Sequence, residues 1–394
     1  MPKLLIIADD FTGALDTGVQ FASLGAKSLV VTDLPYDMKS SEGLDVLIYD
    51  AETRHTSPEK AYDTVKAATS CAKNHNVPFV YKKTDSGLRG NIGAELAGAM
   101  DGLGLDGMAF VPAFPAMKRI TRGGVHYIDG VPVSQSMFGK DPFEPVRHSA
   151  VKDIIAEQTD KSGIRVYDAE TDGDMMNIAN QLGVEGLKLT AGCAGFGNVL
   201  ARVLGFNGNP PKLPDMPRRL FMICGSVNPV TRSQMDYARD NGFRYISLTA
   251  EQKLNPTWPG SPECVKAGAE WLAEIGNVDA ILDANNPDET AKTDEYIRSH
   301  GMDIDAVRVN ISRSVAAGGL AVIEAGLEAR LMCVGGDTLL ALMNAAGIHE
   351  LVPLREVERG VVLTSFTHRG KDYYIMTKSG GFGEKDLLVK LARK

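Results

Sequence analysis

The sequence predicts an α/β protein of two domains, each a mostly parallel sheet flanked by helices, with a cleft between the domains. Short apolar runs alternate with amphipathic stretches in both halves of the chain, as in strands joined by crossover helices. A segment rich in proline and glycine, "GFNGNPPKLPDMP" at 205–217, divides this alternation in two. The chain has 394 residues, 44% of them hydrophobic, which is enough for two cores. We expect an N-terminal domain over 1–209, a linker over 210–217 and a C-terminal domain over 218–394.

The strands are predicted from the apolar runs and from the turn residues that bound them. In the first half they are Leu4–Ala8, Ser28–Thr32, Val46–Asp50, Pro78–Tyr81, Gly107–Val111, Ile164–Tyr167 and Leu187–Leu189. In the second half they are Arg219–Cys224, Tyr245–Leu248, Ala280–Asp283, Leu331–Val334, Val361–Thr364 and Tyr373–Thr377. The dipeptide Asp129-Gly130 within "YIDGVPV" is a strong hairpin signal, so we expect an antiparallel hairpin there.

Charge and cysteine content limit the class of protein. The formal net charge of −8 argues against a broad nucleic-acid surface, which would need clustered basic residues. The five cysteines are scattered and form no CxxC pair, as expected of reduced thiols. The first apolar run is too short for a signal sequence, and no later run approaches the ~18 apolar residues of a spanning helix. We expect a cytoplasmic protein with no nucleic-acid or membrane partner, while self-association into a homo-oligomer stays open.

Polar residues follow the predicted strands of the first half. Ligands of open parallel sheets bind beyond the carboxyl ends of the strands, so these residues are candidates for one site. They are Asp9, Asp10 and Thr12 after the first strand, Asp50, Glu52 and Arg54 after the third, and the segment "KKTDSGLRGN" after the fourth. In "ADDFTGALD" the purely structural interpretation is a helix cap at Asp10 or Thr12. The functional interpretation is a pair of carboxylates that accept hydrogen bonds from a hydroxyl-rich ligand.

The segment "YKKTDSGLRGN" carries the richest set of reactive groups. Arg89 is a candidate clamp for a carboxylate, with Lys82 or Lys83 helping, and Asp85 is placed to accept a proton from a substrate hydroxyl. Gly87 and Gly90 permit a close approach of the backbone. The alternative is a solvated loop with surface ion pairs. The following basic segment, "PAFPAMKRITRGGVHYIDG", suggests anion handling, but we expect its His126 to be a hydrogen-bonded hairpin residue.

The second half contains three predicted strands that run into glycine-containing turns before helix-like sequence. They lie in "ICGSVNPVTRSQ", "CVGGDTLLALMNAAG" and "MTKSGGFGEKDLLVKL". A glycine lets backbone N–H groups approach an anion, and the positive end of the following helix points at the same place. Three such turns suggest a bound nucleotide, although each alone could be a routine helix cap. The candidate positions are Gly225, Ser226, Gly335, Gly336, Asp337, Thr338 and 379–381, with Gly380 foremost.

Several catalytic motifs are missing. No segment matches the P-loop, and the literal GxGxxG that starts at Gly102 precedes a strand, so it is no dinucleotide fingerprint. The HRD and DFG motifs, the GxSxG elbow and HExxH do not occur. The seven histidines show no metal-ligand spacing, so we predict no metal centre held by the protein alone.

Six segments taken in order resemble the four-carbon acid sugar kinase family over nearly the whole chain. They are "ADDFTGALD", "KKTDSGLRGN", "PAFPAMKRITRGGVHYIDGVPV", "GSVNPVT", "GGDT" and "KSGGFG". The sequence departs from the usual family pattern at Asn228, where many members carry a serine, and at Gly87, where a larger residue is common.

The resemblance implies an enzyme that uses ATP and Mg²⁺ to phosphorylate the 4-hydroxyl of a four-carbon sugar acid such as threonate, erythronate or an oxo-tetronate. Asp85 is then the expected general base, with Asp10 as the second candidate. The expected substrate-binding residues are Asp9, Asp10, Lys83, Ser86, Arg89 and Gly90. The expected nucleotide-binding residues are Ser226, Gly335, Gly336, Asp337, Thr338 and Gly380. The alternatives are a sugar-acid isomerase or dehydrogenase, and a non-catalytic nucleotide or sugar-acid sensor.

Overall fold

A computed structural model describes residues 1–141, 144–378 and 380–394 of the chain. The chain forms two compact units, Met1–Pro211 and Lys212–Lys394. Each unit is a sheet of mostly parallel strands with helices packed on it, so the predicted α/β class is confirmed.

The N-terminal unit alternates strands and helices along the chain. Its elements are β1 (Leu4–Ala8), α1 (Phe11–Ala22), β2 (Ser28–Val31), β3 (Val46–Asp50), α2 (Pro58–Asn74), β4 (Phe79–Lys83), α3 (Ile92–Leu103), β5 (Met108–Val111), β6 (Arg119–Arg122), β7 (Val125–Ile128), β8 (Val131–Pro132), α4 (Val151–Ala156), β9 (Ile164–Val166), α5 (Asp172–Gly186), β10 (Leu189–Gly192) and α6 (Ala194–Val203). The strand order is β2-β3-β1-β4-β10-β5-β9, all parallel. From β1 the chain continues to β2 on one side, and from β4 it continues to β5 on the other. The switch point therefore lies between the adjacent strands β1 and β4, and ligands of such sheets bind at the carboxyl ends of these strands.

Alternating side chains place helices on both faces of this sheet. Leu5 and Ile7 of β1 belong to a buried cluster with residues of α2, α3 and α4. Because successive strand residues point to opposite faces, Leu4 and Ile6 face the other way, and α1 packs against α6 on that side. α2 begins after Ser57, whose side chain accepts a hydrogen bond from Lys60 N and caps the helix.

A small antiparallel sheet of β6, β7 and β8 interrupts the alternation. Asp129 and Gly130 connect β7 to β8 with φ of 50° and 80°, so the predicted hairpin at this dipeptide is confirmed. Isolated bridges from Thr121 to Ala169 and from Val125 to Ala150 attach the small sheet to the rest of the unit.

The C-terminal unit repeats the alternation and ends in antiparallel strands. Its elements are β11 (Leu220–Cys224), α7 (Pro229–Asp240), β12 (Arg244–Ser247), α8 (Ala250–Leu254), α9 (Pro262–Ile275), β13 (Ala280–Asp283), α10 (Thr290–His300), α11 (Ile304–Glu324), β14 (Arg330–Val334), α12 (Gly336–Ala346), β15 (Glu350–Glu358), β16 (Val361–His368), β17 (Lys371–Lys378) and α13 (Leu387–Arg393). The strand order is β12-β13-β11-β14-β17-β16-β15. The first five are parallel, and β16 is antiparallel to both β17 and β15.

The structure corrects the sequence prediction at two places in this unit. β15 was missed, because Pro353 and several charged residues break its apolar pattern, and its register with β16 shifts near Pro353. The helix after the third glycine turn starts only at Leu387, so no helix end points at Gly380. The first two turns do lead directly into α7 and α12.

One helix in the described ranges, α11, is long and apolar enough to cross a membrane, whereas no such segment was expected from the sequence. It packs against α8, α9 and α12, as the central helix of a globular unit also does. A single helix of this kind is weak evidence for a membrane span.

Candidate functional site

Arg54 lies at the centre of a polar cluster at the switch point of the N-terminal sheet. Its Nε and Nη2 donate to Oδ2 of Asp9 at 2.8 and 2.7 Å. Its Nη1 donates to Oδ2 of Asp10 at 2.9 Å, and its Nη2 lies 3.9 Å from Oδ1 of Asp85. Arg54 was among the polar residues expected at this edge but had no assigned role. The structure makes it the group that joins the three carboxylates.

Asp9 is held as a carboxylate by its cationic neighbours. Burial alone would raise its pKa, but Arg54 and then Lys83 outweigh burial and lower the pKa to about 2. The Lys83 Nζ lies 3.5 Å from Oδ1 of Asp9. At Gly13 a Cβ would collide with both Asp10 Oδ1 and Lys83 Nζ, so only glycine leaves this cluster intact. Asp9, Asp10 and Lys83 therefore do come together as predicted.

Asp10 is both a helix cap and the accessible carboxylate of the cluster. It is the N-cap of α1, and its Oδ1 accepts a hydrogen bond from Gly13 N at 3.0 Å. Its side chain is 23% exposed, against 2% for Asp9. The helix cap is confirmed, and the exposed part of the carboxylate leaves Asp10 able to accept a hydrogen bond from a ligand.

The loop after β4 folds back on itself through Asp85 and Arg89. Arg89 donates to the two Asp85 oxygens from Nε at 2.8 Å and from Nη2 at 3.2 Å, and its Nη1 donates to Asp141 at 3.1 Å. Burial would raise the pKa of Asp85, but Arg89 and Arg54 keep it well below its usual value. Gly90 has φ of 84°, and a Cβ there would lie 2.9 Å from Cγ of Arg54. In this state the predicted clamp, Arg89, is bound to the predicted base.

The hairpin sheet secures the same loop through Ser86. Arg119 Nη1 donates to Ser86 Oγ, and the His126 Nε2 lies 3.0 Å from Ser86 O. The other ring nitrogen of His126 pairs with Thr121 Oγ1 at 3.1 Å. Burial lowers the pKa of His126 to about 4, so the imidazole is neutral at physiological pH. His126 is the hydrogen-bonded hairpin residue that we expected.

Phe138 links the two arginines of this loop region. It lies in a 3₁₀ helix, Met137–Lys140, and the Cζ atoms of Arg89 and Arg119 are each 5.1 Å from its ring centroid. A Cβ on Gly87 would lie 2.5 to 2.8 Å from the ring carbons. Glycine at this position leaves room for the ring that both guanidinium groups contact.

Lys82 is not available to a ligand. Its side chain is fully buried, and its Nζ is 3.0 Å from Oε2 of Glu95 in α3. Glu95 also accepts from Thr53 Oγ1. The suggestion that Lys82 assists the clamp is therefore wrong, because successive residues of β4 point to opposite faces and only Lys83 reaches the cluster.

Asp50 is a buried carboxyl with no role in the sequence prediction. Burial, and then the neighbouring Glu52, raise its pKa well above the usual value. Glu52 has φ of 45° and accepts a hydrogen bond from Phe11 N at 3.0 Å. This hydrogen bond connects Glu52, the neighbour of Asp50, to the first residue of α1.

Three adjacent parallel strands of the C-terminal unit, β11, β14 and β17, end in the glycine turns. In the first turn, Ser226 Oγ accepts from Asn228 N at 3.2 Å, and Asn228 caps α7 by accepting from Val230 N at 2.9 Å. A Cβ on Gly225 would collide with Thr338 Oγ1 of the second turn. The first and second turns are thus in direct contact.

The second turn leads into an uncapped helix. Gly335 has φ of 106° and is the N-cap of α12. Because glycine has no side chain, this N-cap residue offers no side-chain acceptor to the first N–H groups of the helix. The first N–H groups of this helix are therefore suited to an anion. Asp337 lies in the first helical turn of α12 and pairs with Arg308 at 3.0 Å. The neighbouring Thr338 is buried.

The third glycine turn lies against the first. A Cβ on Gly380 would lie 2.8 Å from Ser226 Oγ, and Thr231 of α7 donates to Gly380 O at 2.7 Å. Ser379, which was part of this predicted turn, lies outside the described residues. Ser226, Gly335, Gly336, Thr338 and Gly380 therefore meet at one edge of the sheet.

Comparison with known proteins identifies both units. A family model of the sugar-binding N-terminal domain matches residues 4–180, and one of the nucleotide-binding C-terminal domain matches residues 221–388. The chain is 28% identical to a D-threonate kinase of Salmonella typhimurium over 98% of this chain and 96% of that protein. It is also 28% identical to a D-erythronate kinase of Heliobacterium modesticaldum over 98% and 95% of the two chains. The chain belongs to the four-carbon acid sugar kinase family.

A solved structure supports the fold of this family member. A Haemophilus influenzae protein superposes with a TM-score of 0.74 at 19% identity, covering 99% of each chain. Among the described residues, no three His, Cys, Asp or Glu side chains lie where they could hold a metal ion. In kinases Mg²⁺ usually keeps several waters and is bound through phosphate oxygens with one or two carboxylates. Asp337 lies at the start of α12, where its carboxylate pairs with Arg308.

Proposed function

We propose that the protein transfers the γ-phosphoryl group of ATP to the terminal hydroxyl of a four-carbon sugar acid. The observation that carries the proposal is the convergence of three glycine turns on adjacent strands β11, β14 and β17, with α12 left uncapped in the middle. Phosphate oxygens would accept from the backbone N–H groups there. Membership of a family of sugar-acid kinases supports the same reaction.

The N-terminal cluster would hold the sugar acid. Its groups differ in accessibility: the Arg89 side chain is 27% exposed and that of Asp10 is 23% exposed, while Arg54 and Asp9 are buried. We assign the substrate carboxylate to Arg89 and a substrate hydroxyl to Asp10, because these are the groups that a ligand can reach. Lys83, Ser86 and Gly90 complete the proposed pocket, and Asp9 orients Arg54.

Asp85 is our candidate for the general base, with Asp10 second. Both Asp85 oxygens are bound by Arg89, which makes Asp85 a weak base. A substrate carboxylate would compete for Arg89, and a weaker Arg89 contact would raise the basicity of Asp85 when substrate is present. Phosphoryl transfer depends mainly on positioning and on charge stabilisation, so even a weak base suffices to orient the hydroxyl.

ATP would enter as its Mg²⁺ complex, and the ion would supply charge neutralisation at the β- and γ-phosphates. Asp337 is the residue that we assign to its coordination, directly or through water. The five cysteines are free, and this supports a cytoplasmic location.

The direct test measures ADP release by the purified protein with Mg-ATP and single four-carbon acids: D- and L-threonate, D- and L-erythronate and 3-oxo-tetronates. The proposal expects at least one acid to raise ADP release far above the rate with ATP alone. Five-carbon and six-carbon sugar acids at the same concentration are the matched controls. ADP release that no acid stimulates would overturn the proposal.

A further inference from the structure

Lys378 occupies the point where the three glycine turns meet. It is the last residue of β17, and it is 2% exposed. Its Nζ donates to Thr231 Oγ1 of α7 at 3.2 Å and to Gly380 O of the third turn at 3.0 Å. Its carbonyl oxygen accepts from Gly335 N of the second turn at 3.3 Å. One residue thus bonds to all three segments that form the proposed phosphate site.

The positive charge of this lysine is costly because the side chain is buried. Burial lowers the pKa of Lys378 to about 8. The oxygens that accept from its Nζ in the contacts above belong to a hydroxyl group and a carbonyl group. A bound polyphosphate would offset the cost, because an anion within several ångströms favours the ammonium form.

The other titratable groups around Lys378 do not change charge in the same pH range. Burial raises the pKa of Cys224 in β11 to about 12 and that of Cys333 in β14 well above its usual value, so both thiols are neutral. Arg232 in α7 remains charged and pairs with Asp283 at 2.6 Å. A change in protonation near pH 8 at this place therefore belongs to Lys378.

We propose that Lys378 is a positioning residue that stabilises the phosphate chain of the nucleotide and makes no contribution to binding its nucleoside part. Its ammonium group joins α7, which follows the first turn, to the third turn, and so places a positive charge among the three glycine turns. The inference rests on the proposed function, since it requires a nucleotide in this unit. A buried cation at this position complements the uncapped α12, whose N–H groups carry only partial charge.

Calorimetry on the wild-type protein tests the charge directly. ATP binding is measured with Mg²⁺ at about pH 8 in two buffers of different ionisation enthalpy, and the difference gives the protons taken up. Because a group with a pKa of about 8 is half protonated at that pH, we expect an uptake of about half a proton with ATP. Adenosine, which has no phosphate, should cause none. Equal uptake with both ligands, or none with ATP, would overturn the inference.

Lys378→Met provides the second test, with Arg330→Met as its matched control. Arg330 is also a buried cation of this unit, but it lies at the opposite end of β14 and donates to Arg218 O and Ala392 O. Lys378→Met should weaken ATP binding at about pH 7 by tenfold or more and leave adenosine binding within about twofold. We expect the ATP affinity of the wild type to decline between about pH 7 and about pH 9 as Lys378 loses its proton, and this decline should be absent in Lys378→Met. Arg330→Met should change neither affinity nor pH profile.

The outcomes separate this inference from the proposed function. A folded Lys378→Met variant that binds ATP as the wild type does, or that loses adenosine and ATP equally, overturns the role of Lys378 alone. A wild type that binds ATP with proton uptake but phosphorylates no acid contradicts the proposed function and leaves the inference standing. A wild type that binds no ATP overturns both.

Discussion

The Arg54 guanidinium holds the Asp9 carboxylate through two nitrogens, Nε at 2.8 Å and Nη2 at 2.7 Å. Asp9 follows β1 and Arg54 follows the neighbouring β3, so the pair fastens two strand ends at the switch point. The same guanidinium contacts Asp10, the accessible carboxylate of the cluster. One arginine therefore links the ends of two strands and the carboxylate that we propose for substrate binding, and the pKa values of Asp9 and Asp50 are shifted in opposite directions.

Asp9 and Asp50 should have opposite effects on stability as pH changes. The pKa of Asp9 falls from 3.8 to about 2, so its contribution is present above about pH 4 and is lost as pH falls toward about 2. Asp9→Asn should therefore cost roughly 2 kcal/mol at neutral pH, and the difference from wild type should shrink in acid. Urea unfolding at several pH values measures both effects. A cost that stays constant down to about pH 3 would contradict this origin.

Asp50→Asn is the companion to that experiment. The pKa of Asp50 is raised, so its contribution is full below 3.8 and declines as pH rises toward its folded pKa. Asparagine keeps a donor toward Glu52 and cannot ionise. We expect the variant to equal the wild type near about pH 4 and to be more stable at higher pH. Destabilisation that grows with pH would contradict a protonated Asp50.

The buried pair of Lys82 and Glu95 should behave as a unit. Glu95→Leu leaves the Lys82 ammonium buried without its carboxylate, which should cost about 3 to 5 kcal/mol of unfolding free energy. The double variant Lys82→Met/Glu95→Leu should recover most of that loss, since both charges are gone. Denaturant titration of the wild type, both single variants and the double variant gives the coupling energy. Additive costs would show that the two side chains act independently.

Gly87→Ala should impair binding of the acid without unfolding the protein. The new Cβ would press on the Phe138 ring, which contacts both Arg89 and Arg119, and so displace the proposed clamp. We expect a loss of about 10-fold to 100-fold in kcat/KM, mostly through KM of the acid. Gly173→Ala is the control, because a Cβ there meets only an ordinary contact at 3.5 Å. An unchanged KM for the acid in Gly87→Ala would remove Phe138 from the account of the site.

Asp85→Asn and Asp10→Asn distinguish the two candidates for the base. Asp85→Asn should reduce kcat by about 10²-fold or more while ATP affinity stays within about twofold. Asp10→Asn should act mainly on KM of the acid, because Asp10 is assigned to hydroxyl binding. Steady-state kinetics and ATP titration check both. Activity of Asp85→Asn within about tenfold of wild type, with a large kcat loss in Asp10→Asn, would transfer the base to Asp10.

Much of the fold could be predicted because apolar runs mark buried parallel strands. Asp9, Asp10, Lys83 and Asp85 were expected to meet, since the carboxyl ends of parallel strands share one edge of the sheet. The residue types alone left Lys82 and Lys83 as alternatives, and only the family resemblance favoured Lys83. The structural reason is the pairing of Lys82 with Glu95 of α3, which the sequence does not reveal. Phe138 and Asp141 were missed for a similar reason: they come from a 3₁₀ segment whose position follows from tertiary packing.

The second unit shows the same limit in another form. Glycine turns can be recognised in the sequence. The three turns converge because the strands that precede them, β11, β14 and β17, lie side by side in the sheet. The helix after the third turn begins seven residues beyond Gly380, a spacing that the apolar run "DLLVKL" does not fix to a single residue. Lys378 was not distinguished from other lysines, because its burial arises from strand order and not from its neighbours in sequence.

Phosphorus NMR of the reaction product tests the central claim most directly. The protein is incubated with Mg-ATP and the acid that gives the highest rate of ADP release, and the new signal is examined with proton coupling. Transfer to the terminal hydroxyl predicts one phosphate ester whose phosphorus couples to the two protons of C4, formed in equal amount with ADP. Inorganic phosphate as the sole new signal, or coupling to a single C2 or C3 proton, would contradict the account.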